Sequence, residues 1–386
     1  MSARGPGKPR RSPAVPEGRA RLRDLGITIG RFPTGKHDAI TDVEGVRVGH
    51  VTLIEGEGAL VPGVGPVRTG VTAILPAEGD VFRDRVFAGS YVLNGAGEMM
   101  GLLQVDEWGL CETPILLTST LCVGRVADAA ISWMWRLHPE IGRTYDVVVP
   151  VVAECDDSFL SDAMGRHVQE AHVLAALDAA HRGPVVEGCV GAGTGMQTFG
   201  FAGGIGTASR RVRVAGADST IGALVLSNFG DRERLRVDGV PVGEALAPRF
   251  DHVGRRPAAG SIIVLLATDV PLMQRQLARL CRRAALALGR LGGYAAHNSG
   301  EILLGWSTKN RIPRERQKRV HSVAIALDAE LDPLYEAALD VVEESVLNAV
   351  CAGVPMTGYD GHAAPALPLD AVKEQWQRAR LLGSGG

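Results

Sequence analysis

Two segments of this chain, residues 221–227 and 261–268, are aliphatic almost throughout, and residues 145–153 carry a run of valines at 147, 148, 149, 151 and 152. Short runs of this kind suit strands covered on both faces, and they do not suit a sheet with one wet side. Two further segments, residues 47–53 and 69–75, are predicted as strands; the first alternates apolar and polar residues, as a half-buried strand does. Helical periodicity alternates with these strands over residues 121–137, 166–181, 271–291 and 334–350. The third is the clearest, with Leu272, Met273, Leu277, Leu280, Ala284, Leu288 and Leu291 on one stripe. Asp269 is expected to cap that helix, with Pro271 in its first turn and Gly292 at its end. Asp332 is the expected cap of the fourth, with Pro333 behind it. Mixed α and β along the whole length predicts an α/β fold, one layered domain with helices outside sheets.

Composition narrows the function. The chain has 386 residues, 46% of them hydrophobic and only 5% aromatic, so aliphatic side chains must fill its core. A formal net charge of -2 gives no argument for nucleic acid or for a membrane surface as partner. Six scattered cysteines form no C-x-x-C pair and no zinc-type cluster, which points to a reducing, cytoplasmic compartment without disulfides. Residues 1–24 are rich in Arg, Pro and Gly without an apolar segment, and are expected to be a disordered leader. No apolar run is long enough to span a bilayer.

Several familiar motifs fail. Gly191-Ala192-Gly193-Thr194-Gly195-Met196 lacks the final glycine of a dinucleotide fingerprint. It is either a close backbone approach or a loop whose Gly193 and Gly195 amides face a substrate oxygen. The acids Glu154, Asp156, Asp157 and Asp162 lack calcium-loop order and are expected to be solvated loop residues. No H-E-x-x-H or G-x-S-x-G is present, so neither a zinc protease nor a histidine-based serine hydrolase is indicated.

Three small motifs remain. Gly260-Ser261 precedes a buried strand, and is either a plain turn or a bond whose scission would free Ser261 as an N-terminal nucleophile. Ser299 and Glu301, two apart, share a face if they lie on a strand. Asn228 closes a buried strand, where its amide either turns the chain or donates to an oxyanion.

Taken in order, Glu154, the Gly191–Met196 loop, Asn228 in Ser227-Asn228-Phe229-Gly230, Gly260-Ser261 and Asn298-Ser299-Gly300-Glu301 resemble the L-aminopeptidase/D-esterase family. That family includes the DmpA-type and β-peptidyl aminopeptidases, and the likeness runs from about Leu25 to Gly353. The resemblance implies a four-layer αββα sandwich of the DmpA/ornithine acetyltransferase type. It also implies self-cleavage into residues 1–260 and 261–386, and oligomers of the resulting αβ unit. Ser261 would be the nucleophile, and Ser299 and Glu301 would orient and activate it. Asn228 would be the oxyanion donor and Glu154 the binder of the substrate ammonium. The substrates would be peptides or amino-acid amides and esters, with no metal or organic cofactor. Asp156 stands where family members often carry an aromatic residue, which leaves an acid near the pocket. Two other readings are an acyltransferase of the ornithine acetyltransferase type and a non-catalytic small-molecule binding protein on the same fold.

Overall fold

The computed structural model describes residues 15–250, 253, 260–315 and 319–383. Its strands are β1 (Arg47–Glu55), β2 (Val67–Leu75), β3 (Asp84–Gly95), β4 (Met99–Met100), β5 (Leu110–Cys111), β6 (Ile115–Ser119), β7 (Val151–Cys155), the short pair β8 (Gln197–Thr198) and β9 (Phe201–Ala202), β10 (Ile205–Val214), β11 (Ala217–Asn228), β12 (Ser261–Thr268), β13 (Gly300–Pro313) and a second short pair, β14 (Met356–Thr357) and β15 (Ala363–Ala364). The helices are α1 (Leu102–Trp108), α2 (Val123–Leu137), α3 (Glu170–Asp178), α4 (Val242–Leu246), α5 (Gln274–Ala284), α6 (Leu286–Arg290), α7 (Asp332–Ala352) and α8 (Leu369–Gly383).

Two sheets carry the architecture. One runs β1-β2-β6-β7-β4 and the other β10-β11-β12-β13-β3-β5. Period-2 alternation sorts the side chains of β12 into two cores. Ile263, Leu265 and Ala267 meet Ile115, Leu117, Val151 and Ala153 of the other sheet. Ile262, Val264 and Leu266 turn the other way, onto Leu277 and Leu280 of α5 and Val341 and Val342 of α7. On the far face of the five-stranded sheet, Val71, Ala73, Leu116 and Val152 pack beneath Val126 and Ala130 of α2 and Val173 and Leu177 of α3. The order is helices, sheet, sheet, helices: the expected αββα sandwich. All eight residues of β12 are buried, and each such Ile, Leu or Val contributes roughly 1.5–3 kcal/mol through removal from water.

Several local expectations need correction. The strand expected over residues 145–153 is only Val151–Cys155, and Val147 is exposed. Pro150 explains the shortening, because it has no N–H for a ladder bond. The helix expected from residue 271 starts at Gln274 and is interrupted at Ala285. Asp269 does not cap it, since its Oδ1 accepts the Thr220 N–H at 2.8 Å. Asp332 is the first residue of α7 and not its cap. All six cysteines are free and buried.

The leader also needs correction from residue 15 onward; residues 1–14 of it lie outside the described residues. Leu22 is fully buried, and its N–H donates to Asn348 Oδ1 at 3.0 Å. Arg21 pairs with Glu187 at 2.7 Å and Arg23 with Glu344 at 2.6 Å. Both acids are buried, and Glu344 also meets the buried Arg210. The arginines that resemble a solvated tail in sequence are counter-charges for acids placed inside the fold. Buried ions require such partners.

Candidate active site

The site is assembled by register. In the six-stranded sheet Asn228, the last residue of β11, lies opposite Ser261, the first residue of β12. On the other side of Ser261, in parallel pairing, lies Gly300. Ser299 and Glu301 flank that glycine, so the ladder alone brings three of the expected residues around the fourth. Gly260 extends the pairing: its carbonyl accepts the Gly300 N–H at 3.0 Å. A Cβ at residue 260 would stand 2.2 Å from the Asn228 carbonyl oxygen. Glycine is therefore required by close approach.

Ser299 donates its hydroxyl to Glu301 Oε1. Among the described residues the second carboxylate oxygen, Oε2, is buried without a partner. Burial raises the Glu301 pKa above the usual carboxylate range, and the Ser299 hydroxyl works against that rise. Asn228 is fixed at both ends of its amide. Its Oδ1 accepts the Gln197 N–H at 2.9 Å, and its Nδ2 donates to the Asp156 carbonyl at 2.8 Å. An amide nitrogen has two hydrogens, and this bond uses one of them.

Glu154 lies within β7, not beyond it, and is buried. Its Oε1 accepts the Glu98 N–H at 2.9 Å, and its Oε2 accepts the Thr120 hydroxyl. Burial raises its pKa, and the Thr120 hydroxyl and Glu98 amide oppose that rise. Gly97 lies between it and Ser261. A Cβ built on Gly97 would lie 3.2 Å from Glu154 Oε1 and 3.9 Å from Ser261 Oγ. The missing side chain leaves a gap with a carboxylate on one side and a hydroxyl on the other. A cleft of about 640 Å³ is lined by Gly97, Met99, Met100, Leu102, Val123 and Ile302, with neither Glu154 nor Ser261 in its wall.

Other expected residues fare differently. Asp156 is half-buried; it accepts the Ser158 N–H at 2.8 Å, and its carbonyl holds Asn228. Asp157 and Asp162 are buried rather than solvated, because the fold gives Asp162 the Gly63 N–H at 2.7 Å and His167 at 2.9 Å. Gly193 is not a substrate donor: its N–H is bonded to the Val190 carbonyl at 2.9 Å. A Cβ on Gly193 would meet Ile205 N at 2.5 Å, and one on Gly195 would meet the Arg68 carbonyl oxygen at 2.2 Å. Close packing accounts for both glycines. Sequence reasoning missed Gly97, Glu98 and Thr120. The glycine-rich stretch Asn94-Gly95-Ala96-Gly97 and the hydroxyl run Thr118-Ser119-Thr120 at the end of a strand were the available signals. Among the described residues no group of three or more His, Cys, Asp or Glu could hold a metal ion, and no helix is long and apolar enough to cross a membrane.

Comparison with known proteins places the chain in a family. The model of peptidase family S58 matches residues 38–364. Over 373 residues the chain is 43% identical to a β-peptidyl aminopeptidase of Sphingosinicella microcystinivorans, with 93% of each chain covered. It superposes on the PH0078 protein of Pyrococcus horikoshii OT3 with a TM-score of 0.89 at 46% identity, covering 93% of this chain and 99% of that one. The L-aminopeptidase D-Ala-esterase/amidase of Ochrobactrum anthropi, described as a variant of the N-terminal nucleophile hydrolase fold, gives 0.86 at 41% identity, covering 93% and 98%. With the family match spanning most of its length, the chain belongs to peptidase family S58.

Proposed function

We propose that this serine-type aminopeptidase makes its own nucleophile by cleaving the Gly260-Ser261 bond. It then releases N-terminal residues from peptides, amino-acid amides or esters through an acyl-enzyme on Ser261. The observation that carries this reading is the register of Ser261 between Asn228 and Gly300, with Glu154 across the Gly97 gap.

Self-cleavage starts with attack of Ser261 Oγ on the Gly260 carbonyl carbon, which the Gly300 N–H polarises. The C–N bond breaks as the C–O bond forms, and the proton passes from the hydroxyl to the departing amine. Water hydrolyses the ester, leaving a carboxylate on Gly260 and a free amine on Ser261. That amine has a reference pKa of ~8, so at neutral pH it can take the hydroxyl proton as Ser261 attacks a substrate carbonyl. Ser299, held by Glu301, orients the amine beside it. Asn228 donates to the oxyanion, a contact whose loss typically costs about 3 kcal/mol of barrier. Glu154 pairs with the substrate ammonium, and this restricts cleavage to the first residue of a chain. The leaving amine takes back the proton, and water resolves the acyl-enzyme.

Denaturing electrophoresis with N-terminal sequencing tests the reading. Two bands are expected, the smaller beginning at Ser261, together with turnover of an amino-acid p-nitroanilide. A single band that survives long incubation, without turnover, overturns it.

A further inference from the structure

Glu154 is a buried carboxylate beside Gly97, and something must hold it in a single orientation. Two donors do so from different elements. The Glu98 amide, in the turn that follows Gly97, binds Oε1 at 2.9 Å. The Thr120 hydroxyl, in the short turn leading into α2, binds Oε2. Thr120 lies one residue past the end of β6, whose Thr118 and Ser119 pair with Glu154 and Cys155 of β7. The register thus sets the hydroxyl beside the carboxylate from the neighbouring strand. Thr120 is exposed at the rim, so packing in the core does not account for its side chain.

We infer that Thr120 is a positioning residue for substrate recognition: its hydroxyl fixes the Glu154 carboxylate so that Oε1 faces the Gly97 gap and receives the ammonium of the scissile residue. The inference rests on the reading of Glu154 as the ammonium binder. Without the hydroxyl, the carboxylate is held at one oxygen only and can rotate away from the gap. The hydroxyl also favours the ionised form, and the charged groups that face Glu154, Glu98 and Asp156, oppose it. Losing Thr120 therefore shifts the acid limb of kcat/KM to higher pH, because Glu154 binds an ammonium only when ionised.

The test uses the processed enzyme with an amino-acid p-nitroanilide and with the matching acyl p-nitroanilide that lacks the amine. Thr120→Val keeps the shape and removes the donor, whereas Thr120→Ser keeps the donor. Thr120→Val should raise KM for the amine-bearing substrate about tenfold, the scale of one hydrogen bond to a charged group. Its kcat should stay within about twofold, since the bond acts on binding and not on the reacting carbonyl. The ratio of kcat/KM between the two substrates should fall about tenfold and the acid limb should move up in pH, with Thr120→Ser restoring both. Glu154→Gln provides the reference. If Glu154→Gln raises KM and Thr120→Val does not, the inference fails while the ammonium reading stands. If Glu154→Gln also leaves KM unchanged, both fail. Equal losses on both substrates in Thr120→Val, unrepaired by Ser, would mean a general structural defect and also overturn the inference.

Discussion

At the scale of single residues, the site depends on groups whose neighbours leave them one task each. Asn228 has its side-chain Oδ1 and one side-chain N–H committed, so in the proposed mechanism its second N–H is the oxyanion donor. Asn228→Ala should lower kcat by roughly 100–1,000-fold, measured on processed enzyme by single-turnover kinetics. Unchanged kcat would remove Asn228 from the mechanism. Gly260→Ala should block formation of the smaller band, because the new Cβ would stand 2.2 Å from the Asn228 carbonyl oxygen and must displace the scissile bond. Time-resolved electrophoresis of freshly made protein checks this. Asp156→Tyr supplies the aromatic ring expected from the resemblance while keeping the backbone carbonyl that holds Asn228. It should shift preference from basic toward neutral first residues, read as a ratio of kcat/KM on two p-nitroanilides.

At the scale of elements, pairing decides more than local propensity. His50 of β1 lies directly opposite Thr72 of β2, and its Nδ1 is 2.9 Å from the Thr72 hydroxyl. Its Nε2 is buried and has no partner among the described residues. Burial, and next the nearby His181, push its pKa down to about 4. The native state holds this ring neutral, while the unfolded chain binds a proton near pH ~6.5. Stability from this residue is therefore full above that pH and falls as the pH drops toward 4. His50→Gln should flatten the decline of Tm over that range, followed by thermal melts in matched buffers; an unaltered slope would sink the assignment. Strand ends follow the same rule. Val147, Val148 and Val149 have the propensity for a strand, but Pro150 cannot donate, and pairing starts only at Val151.

At the scale of the whole molecule, the two pieces expected from cleavage interlock. Strand β12 of the second piece lies between β11 of the first and β13 of the second. Arg21 and Arg23 of the first piece sit in one buried ionic cluster with Glu344 on α7 of the second and with Glu187. The processed protein should run as one species in gel filtration and separate only in denaturant. Deleting residues 1–24 leaves Glu187 and Glu344 with fewer counter-charges. That should cost about 3–5 kcal/mol, read from denaturant midpoints.

Much of this was legible in the chain. Aliphatic runs bounded by turns defined the buried strands, because a strand covered on both faces has no use for polar residues. The spacing of Ser299 and Glu301 allowed their contact, because side chains two apart share a face. The ordered set of small motifs pointed to the family. Only the tertiary structure decided the rest. Which strand lies beside Ser261, and in what register, depends on contacts between residues far apart in the chain, and no local pattern encodes them. The burial of Glu154, Asp157 and Asp162, the ionic role of Arg21 and Arg23, and the gap at Gly97 have the same origin. A charged or glycine residue reads alike in a loop and in a core, and its chemistry is set by the partners that folding brings to it.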